Sequence, residues 1–301
     1  MKVQVLLSCF NGVRWIREQL DSLLQQSLTD LGILVRDDGS DDGTQAILEE
    51  YRQKGFLQWY TGEHLGASRS FWHLLQNSTD ADYYAFCDQD DVWDTDKLET
   101  AVRMLGQTDP AVPALYCSDV RVTDSELHTV SRHMVKEMPV DYAHALIRNA
   151  APGCTFVFNH SARDVLKIYD AEKSGLRLHD WTVFQIVACF GTVIFDPETH
   201  MSYRQHGDNA IGAHQHTFRA MLGKIPAFLN GPQTNSRQRQ AERLEQTYAD
   251  RMGPDARELT GLLAHYREDR RIRRKLLQVL HRRLGYREYL PAAFLIRIHR
   301  F

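Results

Sequence analysis

The feature that most constrains this chain is an alternation in its first 120 residues. Short apolar, β-rich runs appear at "VQVLLSC" (3–9), "LGILVR" (31–36), "FLQWY" (56–60), "YYAFC" (83–87) and "PALYCS" (113–118). Between them lie helical patterns: "RWIREQLDSLLQQ", with Ile16, Leu20, Leu23 and Leu24 on one face, then "TQAILEEYRQK", "ASRSFWHLLQN" and "TDKLETAVRML". Strands alternating with helices of this length predict β-α-β units: an α/β, Rossmann-like, mostly parallel sheet with helices on both faces. In such sheets ligands bind beyond the carboxyl ends of the strands. The polar punctuation sits there: "SCFNG" after the first strand, "DDGSDDGT" after the second and "DQDD" after the fourth.

The middle of the chain is less regular. "PGCTFVFN" (152–159) and "TVIFD" (192–196) read as strands, "HSARDVLKIYD" and "DWTVFQIVACF" as helices, and "MSYRQHGDNAIG" (201–212) as a short strand entering a glycine-bearing loop. Beyond about Thr217 the pattern is helical and increasingly basic, with "NGPQTNSRQRQ" (230–240) as a flexible link. The expected organisation is a catalytic domain over 1–215 and a basic helical extension over 216–301. Residues 251–301 hold 13 Lys and Arg against 5 Asp and Glu, a net of +8; the first 250, with 23 against 34, stand at −11. An acidic body with a basic tail points to a partner for the tail. The five cysteines are scattered and form no C-x-x-C pair, which fits small core residues in a reducing cytoplasm. The N-terminus lacks a signal-peptide pattern, and "VFQIVACFGTVIF" falls short of the ~20 residues of a membrane span. A cytoplasmic protein is expected, peripheral at most to the inner face of the membrane.

The densest chemistry lies in "FCDQDDVWDTDKL" (86–98), where Asp88, Asp90, Asp91, Asp94 and Asp96 follow an apolar run. Carboxylates this close repel unless a cation, hydrogen bonds or water offsets them. An EF-hand loop would need an acidic or amide residue and then glycine where Val92 and Trp93 stand, so that reading fails. What remains is D-x-D at Asp88 and Asp90, which on an extended segment face one way. Mg²⁺ or Mn²⁺, which prefer oxygen ligands and substrate phosphates, suits such a pair; a solvated loop is the alternative. In "VRDDGSDDGT" the plain reading is a strand-turn-helix junction capped by Ser40 or Asp41. The sharper one is an acidic residue, Asp38, meeting a nucleobase or ribose. No G-x-G-x-x-G and no G-x-x-x-x-G-K-[ST] is present, so nicotinamide-cofactor and P-loop readings lose their support.

Taken together, "VLLSCFNGVRWIREQLDSLLQQS…ILVRDDGSDDGT…FCDQDDVWDTDKL" resembles the family 2, GT-A fold inverting glycosyltransferases, from about Val3 to Gly212. "GCTFVFN", "LHDWTVFQIVACFG" and "SYRQHGDNAIG" resemble the bacterial rhamnosyltransferase-like branch in particular. The resemblance implies that Ser8, Phe10 and Asp38 hold the nucleotide with help from Arg69. Asp88 and Asp90 would hold a divalent metal and the diphosphate, with Asp91 nearby and His206 a further ligand. Arg204 would offer a charge-assisted fork to phosphate. Asp180 would be the catalytic base, since inverting transfer needs a group to take the acceptor hydroxyl's proton; without the family it reads as a helix N-cap. Trp181 either stacks on a sugar or belongs to the core. Asp208 and Ala210 depart from the expected Asn and Val.

The implied partners are a nucleoside diphosphate sugar, dTDP-L-rhamnose by the nearest resemblance, and a glycan or lipid-linked glycan acceptor. UDP-hexose or UDP-N-acetylhexosamine donors are the alternative, and a catalytically silent glycan- or membrane-binding protein is a third reading. A sugar-1-phosphate nucleotidyltransferase would want a Gly-rich, Arg-bearing loop where "SCFNGVRW" stands. No nucleic-acid motif accompanies the basic tail. Its reading is an interfacial amphipathic segment with Phe294, Leu295 and Ile296 dipping into anionic lipid, against a solvated helical face.

Overall fold

The structure, a computed structural model, describes residues 1–132, 137–171, 178–206 and 236–301. The chain divides into two compact units: Met1–Val140 with Asn149–Gly212, and Asp141–Arg148 with Ala213–Phe301. The expected boundary near 215, the loop from Gly207 and the first half of the 230–240 link lie outside the described residues.

The strands are β1 (Val3–Cys9), β2 (Leu31–Asp37), β3 (Gln58–Thr61), β4 (Tyr83–Asp88), β5 (Val92–Trp93), β6 (Ala114–Thr123), β7 (Thr129–Arg132), β8 (Val157–Asn159) and β9 (Thr192–Arg204). The helices are α1 (Ile16–Leu24), α2 (Thr44–Gln53), α3 (Ala67–Gln76), α4 (Lys97–Leu105), α5 (Tyr142–Ile147), α6 (His160–Leu166), α7 (His179–Phe190), α8 (Ser236–Tyr248), α9 (Pro254–His265), α10 (Arg270–Arg283) and α11 (Tyr286–Arg297). Among the described residues the strands form one sheet in the order β3-β2-β1-β4-β8-β6-β9-β5, with β7 on β6. β3, β2, β1 and β4 run parallel, β8 is antiparallel between β4 and β6, and β9 runs parallel to β6 with β5 antiparallel on its far side. The fold is the α/β, mostly parallel architecture that the alternation predicts. Two expected strands, 192–196 and the one from 201, are instead one long strand, β9.

β1 is buried at every position, as a central parallel strand covered on both faces should be. Val3, Val5 and Leu7 share a core with Ile16, Leu20 and Leu23 of α1. Elsewhere in the interior, Phe86 lies 5.1 Å, centroid to centroid, from Phe71 and 5.2 Å from Phe158. Leu24, expected on the buried face of α1, is exposed at its end. The parallel register sets Ser8 opposite Arg36 on one side and Asp88 on the other. Three polar residues thus stand level at the carboxyl edge.

In the second unit, Asp141 caps α5 by accepting from the Ala143 and His144 amides. His144 Nδ1 meets Asp141 Oδ2 at 2.5 Å and its Nε2 meets Glu288 Oε2 of α11 at 2.8 Å, while Arg148 reaches Glu288 Oε1 at 2.9 Å. Ile296, expected to point outward, is fully buried beside Ala292 and Ala293 because it lies on the inner face of α11. No described helix is long and apolar enough to cross a membrane.

Gly191 joins α7 to β9, and a Cβ there would lie 1.8 Å from the Pro113 carbonyl oxygen, which also accepts the Thr192 amide. Neither backbone can yield without losing the start of the β6–β9 pairing. Gly191→Ala should therefore lower stability by about 1–3 kcal/mol, read from urea denaturation.

Candidate active site

The first cradle forms where β1 and β2 end. Arg36 sits one residue from the end of the apolar strand β2, 2% exposed. A cation buried there needs charge and hydrogen bonds around it, and its Nη1 meets the Asp38 carboxylate and, at 3.0 Å, Ser70 Oγ. Nη2 donates to the Glu63 carbonyl at 2.9 Å. Ser8 Oγ donates to Ser70 Oγ at 2.6 Å. Asp38 also accepts from the Leu65 and Gly66 amides at 2.9 and 2.8 Å and faces His64 Nδ1 at 3.1 Å. Its carboxylate is therefore engaged by the 64–66 turn, and a nucleobase using it would replace one of these donors. Asp37, its neighbour, closes the "DDGS" turn instead, accepting from the Ser40 amide, Gln45 and Thr61. At the mouth, the exposed Phe10 ring lies 4.1 Å from the His64 ring. Gln89 clamps the Phe10 backbone from both sides, at 2.8 and 3.0 Å. Arg69 is exposed in the first turn of α3.

The second element is the aspartate cluster at the end of β4. Ligand atoms of Asp88, Asp91 and Cys154 lie within 4.8 Å of one another. Burial first, then repulsion from Asp90 and Asp180, pushes Asp88 up to about 7. Burial, then Asp90 and Asp88, pushes Asp91 well above the usual carboxylate range. The Cys154 thiol is raised by burial and then by Asp91 and Asp88, so it serves as a neutral donor beside them. Asp91 Oδ1 accepts the Arg204 amide at 3.2 Å, whereas Asp91 Oδ2, buried, has no hydrogen-bond partner among the described residues. Lys97 lies below, its Nζ buried without a hydrogen-bond partner among the described residues, 4.3 Å from the Trp93 ring centroid; burial pulls it down to about 8. Asp90 faces His206, Oδ2 to Nε2 at 2.8 Å, and that ring stacks on Trp15 at 5.1 Å. An oxygen-rich donor set with one orphaned carboxylate oxygen fits a hard divalent cation.

The third element is Asp180, in the first turn of α7. Asn149 Nδ2 donates to its Oδ2 at 2.8 Å and the Trp181 amide to its Oδ1 at 2.7 Å, so the carboxylate is oriented from both sides. Gly153 makes this approach feasible: a Cβ there would stand 3.0 Å from Asp180 Cβ and 2.8 Å from His179 Nε2. His179 is stacked on Phe71 at 4.2 Å, and burial lowers its basicity, in keeping with a structural part.

Two expectations need correction. Arg204 does not present a free fork to phosphate. It is 2% exposed, and its Nε donates to the Asp90 carbonyl at 2.8 Å, its Nη1 to the Ser125 carbonyl at 2.5 Å, and its Nη2 pairs with Glu18, over the Trp15 ring. It anchors the aspartate loop. Trp181 is buried, so its ring belongs to the core and offers no face to a sugar. Reading the sequence missed Arg36, His64, Ser70, Gln89 and Asn149. Arg36 alone left a signal, a charge inside the apolar run "ILVRDD"; the others are brought in by long-range packing.

The Asp88 shift predicts a pH effect. Its folded-state value lies above the unfolded one, so its share of stability is full below about 4 and is lost as pH rises toward about 7. In chelator, thermal melts should show wild type weakening across that window more steeply than Asp88→Asn. Equal slopes would contradict the half-buried, repelled carboxylate.

Residues 4–165 match the family model described as Glycosyl transferase family 2. The chain is 28% identical over 220 residues to dTDP-rhamnosyl transferase RfbG of Shigella flexneri, covering 69% of this chain and 74% of that one. Relatives from Rickettsia are longer, and the chain spans 64% of their length. Among solved structures, S. aureus TarS 1-349 in complex with UDP-GlcNAc superposes with a TM-score of 0.58 at 16% identity, over 100% of this chain and 93% of that one. Mannosyltransferase PcManGT from Pyrobaculum calidifontis, in complex with GDP-Man and Mn²⁺, gives 0.50 at 18%, over 99% and 79%. At these identities the likeness is one of fold, the GT-A type. With more than half of its length matched by the family model, the chain belongs to glycosyl transferase family 2 and is a glycosyltransferase.

Proposed function

We propose that this enzyme transfers L-rhamnose from dTDP-L-rhamnose to a hydroxyl of a cell-surface glycan precursor, with inversion at the anomeric carbon. One observation carries the reading. The Ser8–Arg36–Asp38 cradle and the Asp88–Asp90–Asp91 cluster share the carboxyl edge of adjacent parallel strands, and Asp180 lies near enough to raise Asp88. The sugar is supported by the similarity to the rhamnosyl transferase RfbG.

In this reading Phe10 and His64 flank the nucleobase, with Ser8 and Asp38 beneath and Arg69 reaching in from α3. Asp88 and Asp90 would hold Mg²⁺ or Mn²⁺ with His206, and Asp91, with its unpartnered oxygen, would stand beside them. When bound, such an ion offsets the charge that develops on the leaving nucleoside diphosphate. Asp180, fixed by Asn149 and the Trp181 amide, takes the proton of the attacking hydroxyl as the anomeric carbon becomes oxocarbenium-like. Arg204 keeps the Asp90 backbone in place while this happens.

By calorimetry, dTDP-L-rhamnose should bind more tightly with Mn²⁺ than in chelator, and more tightly than UDP-glucose or UDP-N-acetylglucosamine. A preference for a UDP sugar would keep the reaction class and replace the donor. Asp90→Asn should abolish the metal dependence of donor binding without unfolding the protein; unchanged binding would return the aspartates to a solvated loop. Asp180→Asn should keep donor binding and lower transfer by about 10²–10⁴-fold. If donor binding disappears with it, Asp180 is not the base.

A further inference from the structure

The second unit carries an exposed face that the transferase chemistry does not use. Tyr286, Leu290, Phe294 and Ile298 are 73%, 44%, 58% and 37% exposed, and they recur every fourth residue along α11. At 100° per residue they cover an arc of about 120°, the width of an apolar helix stripe. Most helices turn such a stripe inward. Here the inward face is made by Ala292, Ala293 and Ile296, so the helix is already anchored and the outer stripe is surplus to packing. Arg287 and Arg297 are exposed on the same arc. Among the described residues neither they nor the exposed Arg270, Arg271, Arg274 and Arg282 of α10 have a carboxylate partner, whereas Lys275 and Arg283 are paired with Glu258 and Asp255.

We propose that this outer face of α11 is a docking surface for an anionic lipid bilayer, into which Tyr286, Leu290, Phe294 and Ile298 insert while the arginines meet the headgroups. Large apolar side chains interleaved with unpaired guanidiniums are what the acyl-headgroup boundary accepts, because arginine stems lie along apolar surface with their heads in the polar layer. Each cation near such a surface adds attraction that salt screens. A nucleic acid would satisfy the arginines and leave the stripe in water. A second copy, docked face to face about a two-fold axis, would bring the same arginines against one another.

The full chain is tested by co-sedimentation with vesicles of phosphatidylcholine alone and of phosphatidylcholine with phosphatidylglycerol in equal parts. It should pellet with the mixed vesicles and stay in solution with the neutral ones, and added salt should weaken the binding. Leu290→Asp with Phe294→Asp changes two exposed positions, so the fold is kept. That double variant should bind mixed vesicles at least about tenfold more weakly, and Arg287→Gln with Arg297→Gln should weaken them too. The surface lies apart from the aspartate cluster in sequence and chemistry, so donor binding measured alongside should be unchanged in both variants. Failure of the transferase reading would appear in that second assay only. Wild type that ignores mixed vesicles, or an aspartate variant that pellets as well as wild type, overturns the proposal. So does a dimer that the aspartate variant dissolves with no vesicle binding in either.

Discussion

Repulsion among carboxylates is the constraint around which the catalytic unit is arranged. Asp88, Asp90 and Asp91 arrive together at the end of a strand whose own residues are packed in the core, and Asp180 lies close enough to add to the field. In so poorly solvated a place, like charges are far costlier than in water. The chain answers with neutral or cationic neighbours that do not remove the charge. Cys154 donates a thiol, Lys97 lies beneath, and Arg204 holds the Asp90 carbonyl and gives its amide to Asp91. The balance is left incomplete, since one oxygen of Asp91 keeps no hydrogen-bond partner among the described residues. A site that stays electrostatically unfinished by itself has the charge and the free oxygen that suit a cation.

The neighbouring cradle follows the opposite logic. Arg36 and Asp38 are both almost fully buried, and their charges are paired with each other, with Arg36 Nε alone of the guanidinium nitrogens left without a hydrogen-bond partner among the described residues. A buried pair of this kind adds little net stability but is expensive to break, because either partner left alone would be an uncompensated charge. Its effect is to fix geometry: the 63–66 turn is drawn onto the end of β2, and Ser70 is set between Ser8 and Arg36. One edge of the sheet thus holds a rigid, neutralised cradle beside a cluster with charge to spare. That asymmetry suits a ligand with an uncharged ring system at one end and, at the other, phosphates accompanied by a cation that answers both sets of negative charge.

Much of this was legible in the chain. The β-α-β alternation is a matter of local periodicity, and buried parallel strands read as unbroken apolar runs, so β1, β2, β4 and their helices could be placed from the sequence. The aspartates stood out because five carboxylates in nine positions need a reason. Other parts were hidden. β9 reads as two strands because a polar stretch, "DPETHM", interrupts its apolar pattern, while its pairing with β6 carries register shifts in the same region. Arg204 looked like a phosphate ligand because a sequence shows a charge without showing what lies around it. The basic tail had the same ambiguity: its composition was plain, but Ile296 turned inward and Tyr286, Leu290 and Ile298 outward.

The sequence by itself determined the elements, the sign and density of charge at each strand end, and the family to which the chain belongs. These are local properties, set by spacing and residue type. Only the tertiary structure decided which charges are answered and which are left open. That depends on partners far away in the chain: Arg204 on Glu18, Asp180 on Asn149, Phe10 on Gln89, and His64 and Ser70 around Asp38. A hydrogen bond needs atoms within about 3 Å at a favourable angle, and no local pattern can specify that across tens of residues. The parallel register that sets Ser8 between Arg36 and Asp88 converts three separate motifs into one site.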